Sequence, residues 1–449
     1  MNVRPLALAG IPALFASGAV AARIVLGNAP RALARDLAQP LIVVTAWGNY
    51  GAACFAILAV CVLGTTLLAL VAALARNAPD SRRGTVAVLT TVALALAACL
   101  AWPFIFSSDV YAYAAYGDMA RQGLDPYRIV PAAAHDPFVD AARVQWSGVF
   151  PVCVYGPLFV GAARLAATGG AAYGVAATLL GLRAAACAAF LASVALLCAA
   201  LEGVTPRQKW LALCAYGLNP TLIWSAAEGH NDAYLALVAC AAAVLVRSSC
   251  SLTAVLLLAL TPVWKASGTV LAVAAALHAA FIARLGSGRT LTALGAGTGI
   301  AVGIALPPLL PALATVGARG TYEPASLQGL IGLWPALVLA GAAAIFALAA
   351  FSRQRSEGFA WFGIAVVVAL PNVYPWYGLW LAPLALAAGG GFAAAALWGA
   401  TISSALRYLP DATGGPAGIA RLAAALGALP LALAFGRFAS SNKKAPFLP

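Results

Sequence analysis

Apolar runs recur along almost the whole chain, parted by short polar connections, and many are about as long as a bilayer core is thick. They predict helices over residues 6–26, 47–75, 85–106, 171–201, 210–227, 233–246, 252–260, 267–283, 291–314, 331–351, 358–370, 378–386, 393–405 and 419–435. A span needs about 20 apolar residues, so the shorter members read as half-helices or as spans divided at the wrong place. The pattern is all-α: a polytopic transmembrane helical bundle of about 12–14 helices, because only helices satisfy their own backbone in lipid. It reads as one integral membrane domain over 1–449, with N-terminal helices in 1–106, an outer loop in 107–157 and the rest of the bundle in 158–449. Residues 156–167 are apolar but too short to cross, and read as re-entrant or interfacial.

The polar stretch 107–150 breaks this rhythm. Ser107 or Ser108 can cap a helix that runs through Tyr111, Tyr113 and Tyr116 to a stop at Gly123. Asp109, Tyr113 and Tyr116 then share a face at i, i+4, i+7 spacing. Asp125-Pro-Tyr127 and Asp136-Pro-Phe138 read as turns started by the aspartates.

Composition makes lipid the solvent. Of 449 residues, 63% are hydrophobic and 9% charged, where a soluble chain carries about 25% charged. The net charge of +13 would suggest nucleic acid in a soluble protein, but counting by side explains it, so no nucleic-acid partner is expected. With the long loop outside and the chain alternating, the inner connections collect 14 basic residues, Arg207, Lys209, Arg353 and Arg355 among them. Only Asp80, Glu202 and Glu357 oppose them. The outer connections hold ten of the 13 acids, with Arg31 and Arg35 running against the rule. This bias predicts a multi-pass protein of a bacterial inner membrane, with both termini cytoplasmic and the loop facing outward. Residues 6–27 imitate a signal peptide, yet the apolar character runs on to Leu26 without a polar cleavage region, so a retained first helix is expected. The nine cysteines show no CxxC spacing and read as packed small side chains.

Chemistry concentrates on the predicted outer side. Asp109 sits where a membrane helix runs into the loop, and an acid in a first helical turn stays ionised. Support of the helix start would explain it alone, but ionisable groups at a membrane cavity are costly and invite a functional reading. Glu228-Gly-His-Asn-Asp232 packs three ionisable groups into a turn between apolar runs. Lys265 stands alone in an apolar stretch, where snorkelling to the interface is the plain alternative. Pro371-Asn-Val-Tyr-Pro-Trp-Tyr377 forms an aromatic outer turn that an interfacial belt would also explain.

Ser108-Asp109-Val-Tyr-Ala-Tyr113, Gly123-Leu-Asp-Pro-Tyr127, Tyr155-Gly-Pro157, Asn219-Pro220, Gly229-His-Asn-Asp232, Trp264-Lys265 and Pro375-Trp-Tyr377 occur in this order. Together they resemble GT-C-fold glycosyltransferases, and among these the alpha-1,6-mannopyranosyltransferases that use polyprenyl-phosphate mannose. The chain departs from the pattern in reading Trp-Lys-Ala-Ser where a Pro-containing stretch is expected after the lysine. The resemblance implies a membrane glycosyltransferase that moves a sugar, mannose by preference, from a polyprenyl-phosphate donor to a hydroxyl of a glycan, glycolipid or protein acceptor. It implies inversion with Asp109 as base, no cofactor and no metal. It places Tyr111, Tyr113, Asp125, Tyr127, Tyr155 and Asn231 around the substrates, and Lys265 on the phosphate together with Arg128. His230 and Asp232 would hold sugar hydroxyls, or His230 the phosphate. Tyr374, Trp376 and Tyr377 would stack on sugar or guide the polyprenyl chain. A transporter or flippase for a lipid-linked sugar or solute, and a scaffold in envelope assembly, are the alternatives.

Overall fold

The computed structural model describes residues 3–25, 58–70, 82–102, 107, 109–134, 136–143, 150–282, 287–316, 327–371, 373–389, 391–412 and 417–442. The chain divides into two compact units, Met1–Gly320 and Thr321–Pro449. Apart from one isolated bridge between Tyr155 and Lys265, the regular structure of the described residues is helical. Among the described residues, four helices are long and apolar enough to cross a membrane, or five if one pair bent by 120° counts as a span. The protein is therefore a polytopic helical membrane protein.

In the first unit the helices are α1 (Val3–Val25), α2 (Leu58–Leu70), α3 (Arg82–Leu100), α4 (Asp109–Arg121), α5 (Pro137–Arg143), α6 (Pro157–Gly170) and α7 (Val175–Ala200). They continue with α8 (Pro206–Gly217), α9 (Pro220–Ala227), α10 (Asp232–Arg247), α11 (Ser251–Ala259), α12 (Gly268–Leu277) and α13 (Ser287–Val316). α1 packs on α3, α7 on α10, and α4 on α6. The last contact is close because Gly117 of α4 lies against the Ala163 carbonyl, where a Cβ would collide. Of the predicted second helix, α2 is described, and the flanking residues 47–57 and 71–75 lie outside the described set.

One expectation changes. Residues 210–227 form two helices, not one. The Asn219 side-chain oxygen accepts from the backbone N–H groups of Thr221 and Leu222, and Pro220 has no N–H to continue the helix before it. Residues 157–167 belong to a regular 14-residue helix, α6, with Gly156 before it and Pro157 at its first position, and it is shorter than a span.

The polar loop folds as its sequence predicts. The Ser107 hydroxyl accepts from the Asp109 N–H at 3.1 Å, starting α4, and Gly123 ends it at φ +82°. Asp125 and Asp136 each accept from the backbone N–H two residues on, Tyr127 and Phe138, at 2.9 Å. Asp136 is buried, its Oδ2 has no hydrogen-bond partner, and burial pushes its carboxyl up to about 7. A carboxyl protonated in the fold but ionised in the unfolded chain costs stability as pH rises from its ordinary value near 3.8 to about 7. Asp136→Asn keeps the cap and removes the titration. Its melting temperature is expected to exceed that of the wild type at pH 8 and to match it at pH 4, as followed by thermal unfolding in detergent.

The second unit holds α14 (Leu327–Ile331), α15 (Leu333–Ser352), α16 (Gly358–Ala369), α17 (Gly378–Ala387), α18 (Phe392–Ser403) and α19 (Ala417–Asn442). α15 packs on α16 and α18 on α19, and the Gln328 amide donates to the Ala369 carbonyl at 2.8 Å. The aromatic turn Pro375–Tyr377 leads into α17.

Candidate active site

Asp109 gathers the first unit's chemistry. Its side chain is 32% exposed, while that of His230 is 1% exposed, so only the aspartate is open to a substrate. Tyr113, one turn along α4, donates its hydroxyl to Asp109 Oδ2 at 3.3 Å. His230 Nδ1 faces the same oxygen at 3.6 Å, ion-pair range and long for a hydrogen bond. Burial works to raise the Asp109 pKa. The hydrogen bond and charge of His230, the charge of Lys265 and the Tyr113 hydroxyl outweigh it, and the carboxyl stays below its ordinary value. This group is an anion at neutral pH.

The turn between α9 and α10 delivers the other polar groups, all buried: Glu228, His230, Asn231 and Asp232. Gly229 makes the turn at φ +92°, a conformation that suits glycine. Lys265 Nζ donates to Asp232 Oδ2 at 2.7 Å and to Asn231 Oδ1 at 3.1 Å, and the Trp264 indole donates to the Asn231 carbonyl at 3.3 Å. The lysine is thus an interior ion pair, not a bare cation. Its backbone is pinned from the loop side, where Tyr155 bridges Lys265 and the Gly156 N–H donates to the Trp264 carbonyl at 2.9 Å. A side chain at Gly156 would run into the Val263 carbonyl, which is why glycine stands there.

Arg183, an arginine in the middle of α7, holds these pieces in register. It is buried and donates to the carbonyls of Ala227, Leu100, Cys99 and Trp102. The Ala227, Cys99 and Leu100 carbonyls end α9 and α3, where helices leave acceptors unpaired and favour a cation. One side chain therefore ties the approach to Asp109 to the turn bearing His230.

Aromatic rings wall the site. Tyr113, Tyr155, Phe159 and Trp264 meet edge to face at centroid distances of 4.9–5.6 Å, and Tyr234 lies 4.6 Å from Trp264. Lys265 Nζ sits 5.6 Å from the Tyr155 ring centroid. A cavity of about 540 Å³ opens beside Tyr113, Gly229 and Trp264 and continues between α6 and α7 past Leu165, Gly169 and Gly181. Apolar and glycine positions dominate its far end.

A family model described as alpha-(1->6)-mannopyranosyltransferase, N-terminal domain, matches residues 8–281, more than half of the chain and the whole of the cluster above. The chain belongs to this family. It is a mannosyltransferase of the membrane, which decides against the transporter and scaffold alternatives. No match was found among curated proteins or among solved structures.

Within this mannosyltransferase the structure brings together Asp109, Tyr113, Tyr155, His230, Asn231, Asp232 and Lys265. Tyr111 is buried inside α4. Asp125 and Arg128 pair with each other at 3.5 Å on the exposed loop, and Tyr127 is buried beneath them. Tyr374, Trp376 and Tyr377 belong to the second unit, beyond the family match. There Tyr374 stacks on Trp376 at 4.5 Å, and the Arg407 guanidinium lies 3.8 Å over the Tyr374 ring. Sequence reasoning passed over Phe159, Tyr234 and Arg183, and counted Glu228 among the ionisable groups of its turn without giving it a role. Glu228 carried a signal, two residues before His230, but an acid in a polar turn is ordinarily solvated. Arg183 carried one too, as a lone cation within an apolar run.

Proposed function

We propose that this mannosyltransferase moves mannose from a polyprenyl-phosphate donor to an acceptor hydroxyl at the outer face, inverting the anomeric carbon. The carrying observation is the accessible Asp109 carboxylate, held by Tyr113, beside an apolar cavity that Tyr113 also lines. Both contacts to Asp109 among the described residues fall on Oδ2, which leaves Oδ1 for the acceptor. The acceptor O–H gives its proton to Oδ1 as its oxygen attacks the anomeric carbon. The bond from that carbon to the phosphate oxygen breaks, and its electron pair leaves with the phosphate. A phosphate anion is a good leaving group and needs no acid. It needs a cation nearby, and Lys265, held in place by Asp232 and Asn231, is the residue we assign to it. The apolar far end of the cavity suits an isoprenoid chain better than a nucleotide. The edge-to-face rings offer the sugar an aromatic platform.

The test is transfer of radiolabel by the purified protein in detergent. Donors would be polyprenyl-phosphate mannose, polyprenyl-phosphate glucose and a nucleotide-linked mannose, each with an alpha-mannoside acceptor and with or without chelator. Transfer from the lipid-linked mannose alone, unaffected by chelator, is the expected result. Transfer from the nucleotide sugar instead would overturn the donor assignment, and loss of activity with chelator the metal-free mechanism.

A further inference from the structure

Glu228 lies behind His230, away from the open side of the site. Its Oε2 meets His230 Nε2 at 3.3 Å, it is 4% exposed, and its Oε1 is buried with no hydrogen-bond partner. His230 thus stands between two carboxylates, Glu228 on one ring nitrogen and Asp109 on the other. An imidazole flanked in this way favours the doubly protonated form, since each nitrogen then has a proton for its own acceptor. A buried carboxylate without a cation would be costly, so the imidazolium stabilises Glu228 in return. We propose that Glu228 is a positioning residue that keeps His230 a cation, and so holds Asp109 as an anion with Oδ1 turned to the acceptor.

The surroundings permit this role. Among the described residues, Arg183 on α7 is a further cation within electrostatic reach of Glu228, but its guanidinium is engaged with four backbone carbonyls. From α3, Cys99 faces the same region, as do Cys187 of α7 and Tyr111 of α4, and none of these is a cation. On the Asp109 side the charged groups are His230 and Lys265, and Lys265 is already bound to Asp232. His230 is therefore the group through which Glu228 can act on the base. The inference rests on Asp109 being the base, but the state of His230 can be read without any turnover.

The chain has three histidines, so ¹⁵N-histidine labelling gives three imidazole signals, each a pair of ring nitrogens, and His230→Gln identifies the one that matters. In the wild type at pH 8 that signal is expected at the imidazolium position. In Glu228→Gln it is expected to move to the neutral position. Glu228→Asp, which restores the charge at a shorter reach, is expected to bring it part of the way back. In turnover assays the acid limb of kcat/KM is expected to shift to higher pH in Glu228→Gln, because Asp109 loses part of its stabilising cation. A neutral His230 signal in the wild type, or an unchanged one in Glu228→Gln, overturns the inference whether or not the donor is polyprenyl-phosphate mannose. If Glu228→Gln does not fold, Glu228→Asp and the wild-type titration of the same signal decide it. Should the NMR result hold while no mannose is transferred from any lipid-linked donor, the proposed function fails and the assignment of Glu228 to His230 stands.

Discussion

Asp109→Asn is expected to fold, to melt within a few degrees of the wild type, and to lose transfer by about 10²–10⁴-fold in kcat, the share that a general base supplies. The substitution is close to isosteric. An amide oxygen in place of Oδ2 can still accept from Tyr113 at the 3.3 Å seen here, and Ser107 can still cap the helix through the backbone N–H. What disappears is the charge and the lone pair able to take a proton. Donor affinity should change far less than turnover, because the aromatic wall and the cavity owe nothing to the carboxylate. Initial rates with labelled donor, beside a binding titration, separate the two. Equal kcat in the two proteins would remove Asp109 from the chemistry.

The second large effect concerns the ion pair. Lys265→Met leaves Asp232 as a carboxylate at 0% exposure without its ammonium partner, and breaking one side of a buried pair costs about 3–5 kcal/mol. Melting should fall sharply, and the protein should yield poorly from the membrane. Replacing both partners, as Lys265→Met with Asp232→Leu, removes the stranded charge and should recover most of that stability. It should not recover transfer if Lys265 also steadies the phosphate. A double variant that is stable and fully active would show the pair to be structural alone.

What could be read in the sequence was local. The loop helix was legible because its start and stop are written within 17 residues, in Ser107 and Gly123. Both Asp-Pro turns were legible for the same reason. The break at Asn219-Pro220 was equally local, yet the apolar residues on either side hid it within one hydrophobic run. Helices shorter than a span, such as α9 with eight residues, give no length signal, and only tertiary packing defines them. The site was legible as a set of residue types and not as a set of partners. Lys265 binds Asp232 across 33 positions, and His230 reaches Asp109 across a larger gap. No periodicity links such pairs. This is why a lysine expected to await a phosphate is found already engaged.

The anchoring of Arg183 also sets an order of assembly. Its partners Cys99, Leu100 and Trp102 leave the ribosome before it, and Ala227 after it. The nascent chain can therefore tether the end of α3 as soon as α7 inserts, well before His230 or Lys265 exists. Until those later segments arrive, Asp109 has Tyr113 beside it but lacks the charges of His230 and Lys265 that help hold its carboxyl below its ordinary value. A chain cut short before Ala227 would thus hold the end of α3 and still lack His230, Asp232 and Lys265.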